Sequence, residues 1–259
     1  MPGYPWLAAR GKRRILSRGD VMRSPYGLEI IESCVACPHR EDRLFCNLPP
    51  ATVRDLEAIT CVASYPKHAT LFVEGQPVRG VFVLCKGRAK LSTSSRDGKS
   101  LIVRIAEAGE VLGLPATITG KPYELTAELI ESTQANFISR SDFLDFLRKH
   151  GEAALRVAQQ LGETYHAAVA EMRTIGLSRT AGAKLARFLL SLPGQAPKQD
   201  AAVKLTLTLT QEEIAQMIGT SRETVTRLFS EFKKRRILQV KRSTLILENR
   251  SELERLADL

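Results

Sequence analysis

The sequence predicts an α+β chain: an N-terminal antiparallel β-roll of jelly-roll type, one long helix, and a C-terminal winged helix-turn-helix. Three stretches carry that prediction. Residues 61–140 break into short apolar runs separated by glycine-marked turns. Residues 154–175 place apolar side chains at alternating spacings of four and three. Residues 210–229 hold two polar-capped apolar segments with Gly219 between them. Short runs at close spacing mark an all-β unit, the 4/3 alternation marks a helix seam, and cap–helix–glycine–cap marks two helices around a tight turn.

The chain has 259 residues, enough for two cores, and a formal charge of +10. The charge is uneven: +5 over residues 1–23, −1 over 24–176 and +6 over 177–259. A basic C-terminal field attracts phosphate backbone without reading sequence. No apolar run approaches the roughly 20 residues of a membrane span. No apolar core follows the N-terminal arginines, so a secretory signal is not expected. The expected location is the cytoplasm, where five cysteines point to metal, redox or packing roles rather than a disulfide framework.

Residues 1–33 read as a disordered basic tail, and Met22 offers a second start, so the place of residues 1–21 in the expressed protein stays open. Residues 34–150 read as a cysteine loop plus the β-roll. Cys34, Cys37 and Cys46 follow a C-x2-C-x8-C spacing, which presents thiolates to one centre. A fourth ligand would come from Cys85, Cys61 or His39. Iron–sulfur, zinc and a thiol switch all remain open, with His39 better suited to zinc. Cys61 and Cys85 lie in apolar strand patterns, where a buried free cysteine is the ordinary alternative.

A short amphipathic helix is expected over 51–60, then strands at 70–73, 80–85, 89–92 and 101–105, with Asp97-Gly98 as a hairpin turn. Ser141 and Asp142 read as the cap of a helix starting near 141. The long helix, 151–177, carries Ala154, Ala158, Leu161, Tyr165, Ala168, Met172 and Ile175 as an a/d seam, narrower than a globular helix face and therefore expected to pair two chains in parallel. A hinge at 176–178 leads to the DNA-binding domain, 178–259, with a helix over 180–192, a loop at 193–197 and a strand at 203–209. Thr210 with Glu213, and Thr220 with Glu223, read as two capping boxes. The second helix turns Val225, Leu228, Phe229 and Phe232 inward and Arg222, Glu223, Thr226 and Arg227 outward. Arginine pairs with guanine and glutamate accepts from cytosine N4, so this tip suits major-groove reading. A hairpin turning at Lys241-Arg242-Ser243 reads as a wing with a basic tip.

The run Gly219-Thr220-Ser221-Arg222-Glu223-Thr224-Val225-Thr226-Arg227 resembles the recognition-helix segment of the Crp/Fnr transcription regulators. That resemblance implies base contacts from Arg222, Glu223 and Arg227, a half-site with a GA-containing core, and RNA polymerase as a partner of an activator; Thr210, Gln211, Ser221, Thr226 and, on the wing, Lys241 are the further expected DNA contacts. It also implies a cyclic-nucleotide-binding-like roll. The N-terminal cysteines resemble the oxygen-sensing, fumarate–nitrate-regulator-like branch, whose cluster uses one more distal cysteine. Here the third cysteine is spaced further off, and Asn136 stands at the distal position. Gly109-Glu110-Val111-Leu112-Gly113 resembles the first half of the family's phosphate cassette, but Leu125-Thr126-Ala127 lacks the arginine of the second half. Leucine offers a cyclic phosphate no charge, so cyclic-nucleotide binding is not expected. The expected function is a homodimeric regulator reading an inverted repeat, with a cyclic-nucleotide-responsive module as the alternative. An enzyme is not expected: no phosphate-binding Gly-Lys loop, nucleophile elbow or α/β dithiol pattern occurs.

Overall fold

A computed structural model describes residues 26–177, 180–192, 194–195, 203–206, 209–241 and 244–257. The tail before Tyr26 and the tip residues Arg242 and Ser243 lie outside them. So do residue 178 of the expected hinge, Arg179 after it, and most of the loop expected over 193–197.

After a run of turns from Cys34 to Cys46, helix α1 spans Pro50–Ala58 and buries Val53 and Leu56. The roll follows with β1 (Ser64–Tyr65), β2 (Thr70–Phe72), β3 (Gly80–Lys86), β4 (Ala89–Ser94), β5 (Ser100–Ala106), β6 (Val111–Leu112), helix α2 (Leu114–Thr119), β7 (Thr126–Leu129) and β8 (Thr133–Ser139). All pairings within the roll are antiparallel, in two four-stranded sheets ordered β1-β8-β3-β6 and β2-β7-β4-β5. β3 is buried along nearly its whole length, the mark of a central strand covered on both faces. One side packs on Phe72, Leu112, Tyr123 and Leu129 inside the roll, the other on α1 and the helices that follow.

Helix α3 (Arg140–Lys149) closes the roll. Its cap is Ser139, whose Oγ accepts from the Asp142 N–H, and not Ser141. β8 runs straight into the helix, so the last extended residue takes the cap. The long helix α4 spans Gly151–Leu177. Ala153, Val157 and Gln160 face the roll, and the Gln160 amide binds both the N–H (3.0 Å) and the C=O (2.8 Å) of Val111.

The C-terminal unit holds α5 (Ala181–Ser191), β9 (Gly194–Gln195), β10 (Val203–Thr206), α6 (Gln211–Ile218), α7 (Arg222–Lys234), β11 (Leu238–Lys241), β12 (Thr244–Leu247) and α8 (Arg250–Ala257). Its sheet runs β11-β12-β10-β9, and its core joins Leu185, Leu189, Ile214, Phe229, Phe232, Leu245 and Leu253. Within the roll, β1, β6, β7 and β8 were not individually placed by sequence, and α2, β9 and α8 were not foreseen at all. The last three escape for physical reasons: α2 and β9 are too short to show a period, and α8 carries so many charges that its buried Leu253 and Ala257 are masked.

The seam of α4 divides. Ala158, Tyr165, Ala168 and Met172 are exposed, but Leu161 packs against the roll's core and Ala154 is half-buried. Leu155, absent from the predicted seam, is 60% exposed beside Tyr165 at 67% and Met172 at 66%. The free apolar stripe is thus Leu155, Ala158, Tyr165, Ala168 and Met172. The reason is angular: 154 and 161 lie on the edge of the stripe that turns toward the roll, while Ala168 stays exposed further along the helix. The side chain of Ile175 lies outside the described residues.

Residues 31–33, which sequence placed in the tail, are docked. Ile31 exchanges two backbone hydrogen bonds of 2.8 Å with the Gln134 amide, and the Ser33 hydroxyl donates to Glu57 at 3.0 Å.

Candidate DNA-reading face and cysteine site

The DNA-reading face is built by its caps. Thr210 Oγ1 accepts from the Glu213 N–H at 3.2 Å, and Glu213 Oε2 accepts from the Thr210 N–H at 2.8 Å, a complete capping box. Gly219 ends α6 at φ +65°, a left-handed conformation that glycine adopts without a Cβ clash. The second cap differs from expectation. Ser221, not Thr220, accepts from the Thr224 N–H at 3.2 Å, and no reciprocal glutamate closes a box. Thr220 is spent on the turn, its N–H donating to Ala215 C=O at 2.9 Å.

Val225, Leu228, Phe229 and Phe232 bury one face of α7, which leaves Ser221, Arg222, Glu223, Thr226 and Arg227 exposed. The Thr226 hydroxyl donates to Gln211 Oε1 at 2.6 Å, tying the polar tips of α6 and α7 into one surface. The Glu223 carboxyl is held below the usual range first by a hydrogen bond from its own backbone and then by Ser221. It therefore stands as an ionised acceptor among two arginines. Thr210 and Gln211 lie exposed at the start of α6, beside this tip. Lys241 ends β11 in register with Thr244, at the root of the wing.

The second site gathers residues far apart in sequence. Cys34, Cys37, Cys46 and Cys85 line one cavity of about 20 Å³, together with Arg40, Arg43 and Asn136. Val53, Leu56 and Val83 close it from α1 and β3. Cys85 supplies the fourth thiol, whereas Cys61 is exposed at an isolated bridge to Phe137. His39 is exposed and does not reach the cavity lining. The strand pairing explains why Cys85 and Asn136 meet: Val83 pairs with Asn136, so position 85, two residues on, shows the same face. Asn136 itself bonds the Gln134 amide at 3.2 Å.

Burial is the main reason that the Cys34 thiol is pushed up to about 11 and those of Cys46 and Cys85 to about 12. Neighbouring thiols raise all three further. The four groups thus feel one another's charge. Ionising them together needs a cation in their midst, because each thiolate is repelled by the next. The donor set is four sulfurs, suited to iron–sulfur or zinc, with two guanidiniums nearby to offset the net negative charge of such a centre. Among the described residues no group of three or more His, Cys, Asp or Glu side chains is arranged to hold a single metal ion. The cavity has room for about one water, so the loop must shift to admit a metal centre. The turns 34–37, 37–40 and 40–43 close with backbone bonds of 3.3–3.4 Å, and the Asn47 N–H donates to Arg43 C=O at 2.9 Å.

The cassette region is occupied by the protein itself. Glu110 accepts from the Glu107 N–H at 2.7 Å and pairs with Arg104 at 2.5 Å, a turn residue in use. Leu125 packs against the roll's interior, where Phe72 stacks on Tyr123 at 4.1 Å.

A β-roll joined by a long helix to a capped helix pair with a wing is the plan of a DNA-binding regulator. Comparison with known proteins agrees. Residues 183–256 match the Crp-like helix-turn-helix domain, and residues 62–150 match the cyclic nucleotide-binding domain. The CRP-like cAMP-activated global transcriptional regulator of Mycobacterium tuberculosis is 23% identical over 215 residues, covering 83% of this chain and 96% of that one. The global nitrogen regulator of a Synechocystis species is 25% identical over 192 residues, covering 73% and 84%. In fold, FixK2 from Bradyrhizobium japonicum is similar with a TM-score of 0.65, 24% identity and coverage of 76% and 97%. The chain is a Crp-like transcription regulator, and like its relatives it is not an enzyme.

Proposed function

We propose that this regulator works in the cytoplasm as a parallel homodimer on an inverted repeat, and that a thiolate metal centre on Cys34, Cys37, Cys46 and Cys85 sets its affinity for DNA. The convergence of those four thiols on one cavity carries the reading. The free stripe of α4 supports the dimer. Its Leu155, Tyr165 and Met172 are large, apolar and exposed, and a side chain added at Gly162 would meet open space, so a second helix can approach closely. Two α7 helices then read half-sites about 34 Å apart. Arg222, Glu223 and Arg227 select bases in a GA-containing core, while Thr210, Gln211, Ser221 and Lys241 hold phosphates. RNA polymerase is the further partner where the protein activates.

The centre is an iron–sulfur cluster, as in the oxygen-sensing branch, or zinc; both use the same four thiolates. When bound, either supplies the positive charge that lets the buried thiols ionise. The deciding experiment is anaerobic purification with a visible spectrum and iron, sulfide and zinc measured per chain. Iron and sulfide with absorption bleached by air make the protein an oxygen or nitric-oxide sensor. Zinc alone makes the loop structural or thiol-switched. A chain free of both overturns the metal reading and leaves DNA binding standing. Cyclic nucleotide is the alternative effector; with Leu125 and Glu110 engaged as described, calorimetric titration with cyclic AMP is expected to show no heat of binding. On the DNA side, Glu223→Ala is expected to relax base choice and Lys241→Ala to weaken all sequences about equally. Equal losses on specific and random DNA for both variants would count against the assignment.

A further inference from the structure

One side chain of the cysteine loop, Arg43, reaches both Cys85 and the turn at Gly109. Arg43, within the cysteine loop, donates from its guanidinium to the backbone C=O of Cys85 at 2.8 Å. Its stem lies over Gly109: a Cβ built there would stand 2.9 Å from Arg43 Cγ. Gly109 sits at φ +103° in the turn between β5 and β6, so only glycine suits the position on both counts. That turn is fastened to the same strand as Cys85, since the Gly109 N–H donates to Leu84 C=O at 2.7 Å and the Leu84 N–H to Glu110 C=O at 2.9 Å.

From the turn the connection runs outward. Glu110 grips Arg104 of β5 at 2.5 Å, and both side chains are about three-quarters buried. β5 in turn lies against α6, the first helix of the DNA-reading pair. Beside Arg43 a cleft of about 310 Å³, bounded by Arg104, Glu110, Gln160 and Glu163, leaves its side chain room to swing.

We propose that Arg43 is the positioning residue that couples the cysteine site to the DNA-reading helices, through the Gly109–Glu110 turn and the Arg104 end of β5. A shift of the cysteine loop or of Cys85 must move Arg43, because the guanidinium is anchored on one and its backbone belongs to the other. Arg43 then presses on or releases Gly109, and the Glu110–Arg104 pair carries that displacement to the strand on which α6 rests. Arg40 lines the same cavity, but among the described residues its ion partner is its neighbour Glu41, at 3.8 Å, so it makes no such link there.

The inference rests on the proposed thiolate centre, and the test separates the two. Full-length wild type, Arg43→Met and Arg104→Met would each be purified anaerobically, and metal content measured. Affinity for a specific DNA duplex would then be measured before and after removal of the metal with a chelator. In wild type the ratio of the two affinities is expected in the range of coupled sites, about five- to 150-fold. In both variants it is expected to fall to about one while metal content stays at the wild-type level. Hydrogen exchange gives a second readout: amides of β5 should change protection on metal removal in wild type and not in the variants. A wild type without metal, or with no change in affinity, sinks the underlying reading. A wild type that responds alongside a metal-loaded variant with the same ratio overturns the role of Arg43. Arg104→Met lies outside the cysteine loop, on β5, so it decides the matter should Arg43→Met fail to take up metal.

Discussion

At the scale of single residues, the thiols of Cys34, Cys46 and Cys85 make a prediction with a definite sign. Burial raises all three above their ordinary value of 9.0, to about 11, 12 and 12. Between pH 9 and those values the unfolded metal-free chain loses protons that the folded chain keeps. The unfolded state is then favoured, and stability falls as pH rises. The metal-free protein should therefore show a Tm that drops from pH 8 to pH 10, with a smaller drop in Cys46→Ala measured by calorimetry. An equal drop in both would contradict the burial of Cys46. The same shifts make metal uptake release protons, so uptake should tighten with pH over this range. The C-x2-C-x8-C spacing was legible in sequence, as was Cys85 among the candidate fourth thiols. The choice of Cys85 over Cys61 was not, because both sit in similar apolar runs and only strand pairing separates an exposed bridge from a buried cavity wall.

At the scale of elements, the helix pair shows where local rules suffice. The capping box of α6 and the glycine at its end were readable because each is a contact between residues within four positions. The cap of α7 was displaced by one residue, from Thr220 to Ser221. With Thr-Ser in sequence, either can cap, and the choice depends on how far the Gly219 turn unwinds before the next helix begins. Ser221→Ala is expected to cost about 1 kcal/mol of stability, as N-caps do, and Thr220→Ala much less. Thermal unfolding of the two variants tests this, and a larger loss from Thr220→Ala would restore the original placement. Gln160 is a similar case: its amide completes the edge of β6, a pairing between elements 49 residues apart that no sequence window contains.

At the scale of the whole molecule, the long helix serves two surfaces at once. Ala153, Val157 and Gln160 close the roll, while Leu155, Ala158, Tyr165 and Met172 face outward. The paired variant Tyr165→Glu with Met172→Glu should yield monomers in sedimentation equilibrium and lose specific DNA binding, since each half-site alone contributes only part of the contact. Leu161→Glu should instead destabilise the chain, because its side chain packs against the core of the N-terminal unit. A dimer that survives the first change would place the partner elsewhere.

The sequence by itself determined the order of architecture, the capped helix pair with its arginine–glutamate tip, the three-cysteine spacing and the lack of an arginine in the cassette. All of these are local patterns, whose physics is complete within a few residues. Tertiary structure alone decided which thiol joins the other three, which side of the long helix stays free, and how Arg43 comes to lie between Cys85 and Gly109. These are contacts between segments 42 or more residues apart, as from Arg43 to Cys85, and they exist only once the roll's strands have paired and set their register.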